Sequence, residues 1–249
     1  MLVLVAGLLG LVVGSFLNVV IHRVPLRQSV VWPASRCPAC EEAIRPKENV
    51  PLLSYLLLRG RCRSCKGRIS ARYPAVEALT GLLFAAATYK FGVGYELLSA
   101  LVLISVLIAL ASIDLEHQLL PNVVTVPAAL AGFALSVLES PGSWWLYLVS
   151  ALAMAGALFA LAICYPGGMG MGDVKMGGML GAFLGPYAAL AVFLGALVGA
   201  LTGGLLIVAG KMGRRQALPF GVFMAFGGLV TLLVGPELWN FYLDLFGGL

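Results

Sequence analysis

Long apolar runs, broken by short polar segments, make up most of the chain. Apolar stretches cover residues 1–20, 75–93, 96–113, 123–138, 144–165, 174–186, 187–210 and 218–235. A helix needs about 20 mostly apolar residues to cross the hydrocarbon core of a bilayer. The pattern therefore predicts an all-α polytopic membrane protein with about eight transmembrane helices. One small polar domain falls between the first and the second. Segments 123–138 and 174–186 are short, which a tilted helix, a thinned bilayer or a broken helix would accommodate. Only Gly185-Pro186 separates 174–186 from 187–210, so seven spans stand as the alternative to eight.

Composition agrees with this reading. Hydrophobic residues make up 61% of the chain and charged residues 11%, where soluble domains carry about a quarter charged residues. The first segment has no basic residue ahead of it; His22, Arg23 and Arg27 follow it. That order is opposite to a cleavable signal and predicts a membrane helix with its N-terminus outside.

The net charge of +5 could suggest a nucleic-acid partner, but the placement of the charges removes that reading. If residues 21–74 lie in the cytoplasm, alternation puts the loops 114–122, 166–173 and 211–217 there too. All of the 16 Lys and Arg residues except Lys90 then lie inside, as the positive-inside rule requires. Eight spans place both termini outside.

Residues 21–74 are the one long polar stretch. They contain Cys37 and Cys40 in CPAC, and Cys62 and Cys65 in CRSC. Paired C-x2-C knuckles read as a four-thiolate zinc site, structural because no coordination position is left open. Two disulfides are the alternative, and a cytoplasmic loop disfavours them. A loop of this size buries little core, so a metal staple suits it. Cys164, in an apolar run, reads as a buried small hydrophobe.

The carboxylates are few. Asp114 follows a span ending at Ile113, and Asp173 closes the glycine run GGMGMGD and begins another span. Both fall at cytoplasmic span ends, whereas Asp244 falls on the opposite side. A carboxylate at membrane depth is costly and marks a functional site by default. Two that converge would share a proton, one acting as base toward water and the other as acid.

Gly170 and Gly172 would free the backbone for positive φ or close approach and let an extended substrate strand pair with the loop. The bland alternatives are a helix cap for Asp173 and an interfacial solubilising role for Asp114. Lys175 reads as an orientation or lipid contact, or as a neighbour tuning Asp173. Glu116 and His117 lie near Asp114, and His117 reads as structural. Glu77 reads as a buried hydrogen-bonding group.

Five motifs in order carry a resemblance over nearly the whole chain. They are GSFLNVVIHRVP (14–25), the cysteine segment running on to ISARYPAVEALTG, DLEHQLLPN, GMGMGDVK and LPFGVFMAFGG (218–228). Together they resemble the bacterial type IV prepilin peptidases, bifunctional leader peptidases and N-methyltransferases of the GxGD type. The resemblance implies an intramembrane aspartic protease of the bacterial inner membrane. It would remove a basic leader from prepilins and pseudopilins on the cytoplasmic side. It would then methylate the new N-terminal amine with S-adenosylmethionine.

The resemblance also implies that Asp114 and Asp173 are the catalytic pair. Residues 21–74 would be a methyltransferase-associated zinc domain and residues 75–249 the peptidase bundle. Gly170, Gly172 and Lys175 are candidates for the substrate groove, and Gly60 for the neighbourhood of the methyl donor, although no Rossmann-like glycine motif marks that site. Met171 and Asn122 stand where the family often has glycine and aspartate. A protease without methyltransferase activity, and a zinc-clipped scaffold or transporter, are the competing readings. Nothing in the sequence sets the oligomeric state.

Overall fold

The computed structural model describes residues 1–37, 39–165, 168–211, 213 and 218–246. Arg214 and Arg215 of the charge pattern, and Gly167 of the glycine run, lie outside the described residues. The helices are α1 (Leu2–Arg23), α2 (Leu53–Leu57), α3 (Arg72–Phe91), α4 (Tyr95–His117) and α5 (Asn122–Glu139). After these come α6 (Trp144–Cys164), α7 (Met171–Leu184), α8 (Ala188–Val208) and α9 (Phe220–Phe246). Among the described residues there is no strand, only two isolated bridges, Arg36 to Ala43 and Arg61 to Arg68.

A helix occupies each of the eight predicted segments, and the protein is an all-α membrane protein. Among the described residues, six stretches are long and apolar enough to cross by themselves. In that set α7 and α8 form one continuous stretch, Met171–Val208, and α3, which carries Arg72, Glu77 and Lys90, is not included. The expected break at Gly185-Pro186 is a single 3-10 turn, Gly185–Tyr187. Gly185 there takes a φ of +56°, which a glycine adopts without strain. The 14 residues of α7 span roughly 21 Å at 1.5 Å per residue, short of a hydrocarbon core.

Two element ends differ from expectation. The helix expected to stop at Ile113 continues to His117. Gln118 ends it in the left-handed conformation, its N–H donating to the Asp114 carbonyl at 2.9 Å. Asp114 is therefore held on a helix instead of facing a loop. The last helix passes the expected limit at 235, through Pro236, to Phe246.

The chain divides into two compact units, Met1–Val93 and Gly94–Leu249. In the first, α1 packs on α3 through small residues. A Cβ at Gly14 would lie 2.7 Å from the Glu77 Cα, and one at Gly10 would lie 2.8 Å from the Gly81 Cα. Gly10 and Gly14 are one turn apart, the small-xxx-small spacing that lets membrane helices approach closely. Buried Asn18 adds a polar tie, its Nδ2 donating to the Gly14 and Tyr73 carbonyls at 3.2 and 3.1 Å.

In the second unit α7 contacts α5, α6, α8 and α9, while α4 contacts α5 and α9. The core is formed by Leu103, Leu107 and Leu110 of α4 with Met176, Met179 and Leu180 of α7. The outermost helix is α6, with Leu158 as its one buried residue. Cys164, at its end, is exposed, not buried as expected, because this helix turns nearly all its surface outward.

Helices α8 and α9 approach closely at Gly227, where an added Cβ would overlap the Ala191 carbonyl oxygen of α8. Gly227→Ala is therefore expected to cost about 1–3 kcal/mol, read as a lower thermal midpoint in detergent. An unchanged midpoint would show that the two helices separate without cost.

Candidate active site and zinc centre

Asp114 lies in the last turn of α4 and Asp173 in the first turn of α7. They are 5% and 9% exposed, and both line one cleft of about 360 Å³. Gln118 to Asn122 of the α4–α5 connection, with Gly170 and Gly172, complete its lining.

Each carboxylate has its own setting. Asp173 Oδ2 accepts the Gly170 N–H at 3.0 Å, and the Asp173 N–H donates to the Gly170 carbonyl at 3.1 Å. This reciprocal pair fixes the start of α7, as a capping box does. The helix-cap role considered for Asp173 is thus present, though from the third helical position and not from the cap. It engages one carboxylate oxygen. Asp114 Oδ2 is buried with no hydrogen-bond partner. The first-turn amides of Gly221 and Val222 in α9 face this carboxyl. A helix N-terminus favours negative charge there.

Leu120 links the two sides. It is 7% exposed and fills space left by two glycines on different helices. A Cβ at Gly172 would lie 2.9 Å from the Leu120 Cβ. One at Gly221 would lie 2.9 Å from both Leu120 Cδ2 and Asp114 Oδ2. The glycine run thus serves close approach, as expected. The expected positive φ is not used by Gly168, Gly170 or Gly172, since the positive-φ glycines among the described residues lie elsewhere. Gly170 is extended, at φ −86°.

Of the groove candidates, Gly170 and Gly172 line the cleft and Lys175 does not. Lys175 is exposed on α7, and its Nζ donates to Asn122 Oδ1 at 2.8 Å, so it braces a residue of the lining. Glu116 and His117 are exposed on the last turn of α4. Gly221, Val222 and Leu120 were not picked out in the sequence as site residues. The signal available was the glycine one position inside a helix that follows Leu218-Pro219.

The four cysteines form a second cluster. Their Sγ atoms all lie within 4.8 Å of one another, with Cys37 to Cys65 at 3.9 Å and Cys40 to Cys62 at 4.0 Å. Tetrahedral zinc with Zn–S bonds of ~2.3 Å sets its sulfurs about 3.8 Å apart, so this set fits a structural zinc ion and leaves no position for a reactant.

The two knuckles share one local design. The first cysteine of each accepts an N–H from the residue after the second, Glu41 to Cys37 at 2.8 Å and Lys66 to Cys62 at 3.1 Å. Glu41 and Lys66 both take left-handed backbone, at φ 58° and 59°. The Cys37 thiol is drawn down to about 7, chiefly by the Ala39 amide. Cys40 is pushed up to about 12; the Glu42 amide opposes this, while burial and the neighbouring thiols raise it.

Gly60 is explained locally. It has a φ of +65°, and a Cβ there would lie 3.0 Å from the Tyr55 hydroxyl. Glu77, 8% exposed, accepts the Leu52 N–H at 2.8 Å, the buried hydrogen bond expected of it.

Residues 8–91 match the family described as Bacterial Peptidase A24 N-terminal domain. Residues 101–208 match the Type IV leader peptidase family. A prepilin leader peptidase/N-methyltransferase of Myxococcus xanthus is 49% identical over 83% of this chain. The match spans 64% of that relative, just under two thirds of its length. Proteins of the same name from Bacillus subtilis and Burkholderia pseudomallei are each 38% identical. The first match covers 95% of this chain and 96% of the relative, the second 98% and 87%. No solved structure matches.

Proposed function

The chain belongs to the type IV leader peptidase family, and on that premise we propose that it cleaves prepilin leaders with Asp114 and Asp173 as its catalytic pair. It then methylates the new N-terminal amine, with S-adenosylmethionine supplying the methyl group. The observation that carries the peptidase assignment is that two buried carboxylates, from helices far apart in sequence, line one cleft.

In the reaction, one ionised carboxylate takes a proton from water as the water attacks the scissile carbonyl. The other, protonated, gives its proton to the leaving amine. This is general acid–base hydrolysis by a carboxylate pair. Asp114 and Asp173 both line the cleft, so a water molecule held in it lies beside both residues. Asp173, fixed by Gly170 through one oxygen, is oriented before substrate arrives.

The site belongs to the cytoplasmic side of the bacterial inner membrane. The basic residues of the 21–74 segment support this orientation. A prepilin's apolar helix would lie in lipid, with its basic leader kept inside and the scissile bond brought to the ends of α4 and α7. We assign residues 21–74 to methyl transfer and 75–249 to the peptidase bundle. Zinc holds the former through Cys37, Cys40, Cys62 and Cys65.

The glycines give a test that leaves both carboxylates in place. Purified protein should release the leader from a synthetic prepilin N-terminal segment. Gly221→Ala, which drives a methyl group against Asp114 Oδ2 and Leu120, should slow cleavage about tenfold or more, given the sensitivity of positioning. Gly156→Ala, on α6 away from the cleft, should stay near wild type, since a Cβ there would meet nothing within 4 Å. Equal rates for the two variants would argue against a reaction centred on this cleft.

A further inference from the structure

A second cleft, of about 450 Å³, lies in the first unit. Its floor is one face of α1, carrying Val12, Ser15, Phe16 and Val19. One wall is the segment from Val30 to Ser35, and the other is Asn49 to Pro51.

Both walls are fixed by side-chain bonds. Arg23, in the last turn of α1, donates from Nη1 to the Ser29 carbonyl at 3.0 Å and from Nη2 to the Ala34 carbonyl at 3.4 Å. Ser29 Oγ accepts the Val31 and Trp32 N–H groups. Opposite, Ser54 Oγ accepts the Val50 N–H at 3.0 Å. Buried Glu77 holds Leu52, the next residue along. The cleft is thus formed before any ligand enters it.

We propose that this cleft binds the methyl donor, S-adenosylmethionine. The inference rests on the reading of the chain as an N-methyltransferase. Its volume and its mix of many apolar and few polar groups suit a cofactor-sized ligand. Valines and prolines on the walls offer flat apolar surface for the faces of an adenine ring. The side chains of Ser15, Ser35 and Asn49 make no hydrogen bond to another described residue, so they are available to a base edge and a ribose. A guanidinium has five N–H donors; the walls engage two of those of Arg23, and the others can meet a carboxylate.

Placement agrees with the chemistry. The acceptor amine sits on a chain whose apolar helix remains in lipid, so the donor must be held at the membrane border. Val12 and Phe16 are 59% and 52% exposed on a membrane helix, and the two walls rise beside them. The neutral amine takes the methyl carbon. The C–S bonding pair stays with sulfur as a thioether, and the amine's extra proton passes to water.

The experiment is equilibrium dialysis of tritiated S-adenosylmethionine against the full-length protein in detergent, with methylation and leader cleavage assayed in parallel. Ser15→Leu fills the floor, and Asn49→Leu removes a wall amide. Each should raise the Kd at least tenfold while cleavage stays within twofold of wild type. An unchanged Kd in a variant that still cleaves overturns the site. If Ser15→Leu loses cleavage, and so its fold, Asn49→Leu decides. A wild type that cleaves but neither binds nor uses the donor overturns the methyltransferase reading itself, a result distinct from unchanged binding in the variants.

Discussion

Asp114→Asn and Asp173→Asn should each lower leader cleavage by about 10²–10⁴-fold, the usual contribution of a general acid or base, without unfolding the protein. The substitutions preserve shape. At position 173 the Asn carbonyl oxygen can still accept the Gly170 N–H now bound at 3.0 Å, so the start of α7 survives. A residue needed only as a cap would therefore tolerate the change. At position 114 the exchange keeps the side chain's shape, and the Asn carbonyl oxygen can still face the Gly221 and Val222 amides. Folding should not suffer, and the thermal midpoint should stay close to wild type. Because the two groups act on one water molecule and one peptide bond, the double variant should be little worse than either single one. Kinetics with a prepilin segment and thermal unfolding in the same detergent measure both. Multiplying deficits would mean that the carboxylates act in separate steps.

Cys62→Ser should remove zinc and methyl transfer together while leaving cleavage within a few-fold of wild type. The four sulfurs come from two knuckles joined by contacts between Cys37 and Cys65 and between Cys40 and Cys62. Among the described residues the polar segment has little other structure: a five-residue helix, a 3-10 turn, two isolated bridges and one surface ion pair, Arg63 to Glu48 at 2.6 Å. Such an exposed, solvent-screened pair contributes little to stability, whereas structural zinc sites supply on the order of 10 kcal/mol of folding free energy. Loss of one thiolate should loosen the segment that carries Ser35 and Asn49, and methyl transfer should fall about a hundredfold or more. Every residue lining the carboxylate cleft lies in the other compact unit, which is why cleavage should persist. Metal analysis should find one zinc per chain in the wild type and none in the variant. Cleavage lost in parallel with zinc would mean that the two activities share one structural support.

Among the described residues, hydropathy located a helix in each of the eight apolar segments, because charges, glycine or proline separate successive runs. It set their ends less well. Apolarity stops at Ile113, but the backbone stays helical until Gln118 adopts the left-handed conformation, and local hydrogen bonding decides that. The cysteine cluster was legible because its ligands come as two sequence-local pairs. The carboxylates were legible because charge is costly in lipid. Leu120, Gly221 and the amide of Val222 were not. Their roles come from helices α4, α7 and α9 meeting at one leucine, and no local pattern records that meeting. Cys164 was misjudged because an apolar neighbourhood in a membrane protein does not separate a core-facing position from a lipid-facing one.

The most direct measurement of the central claim is mass spectrometry of the products formed in ¹⁸O-labelled water by wild type, Asp114→Asn and Asp173→Asn. The account expects one ¹⁸O atom in the new carboxylate of the wild-type leader and no leader from either variant at the same enzyme concentration. Release of labelled leader by either folded variant at the wild-type rate would contradict it.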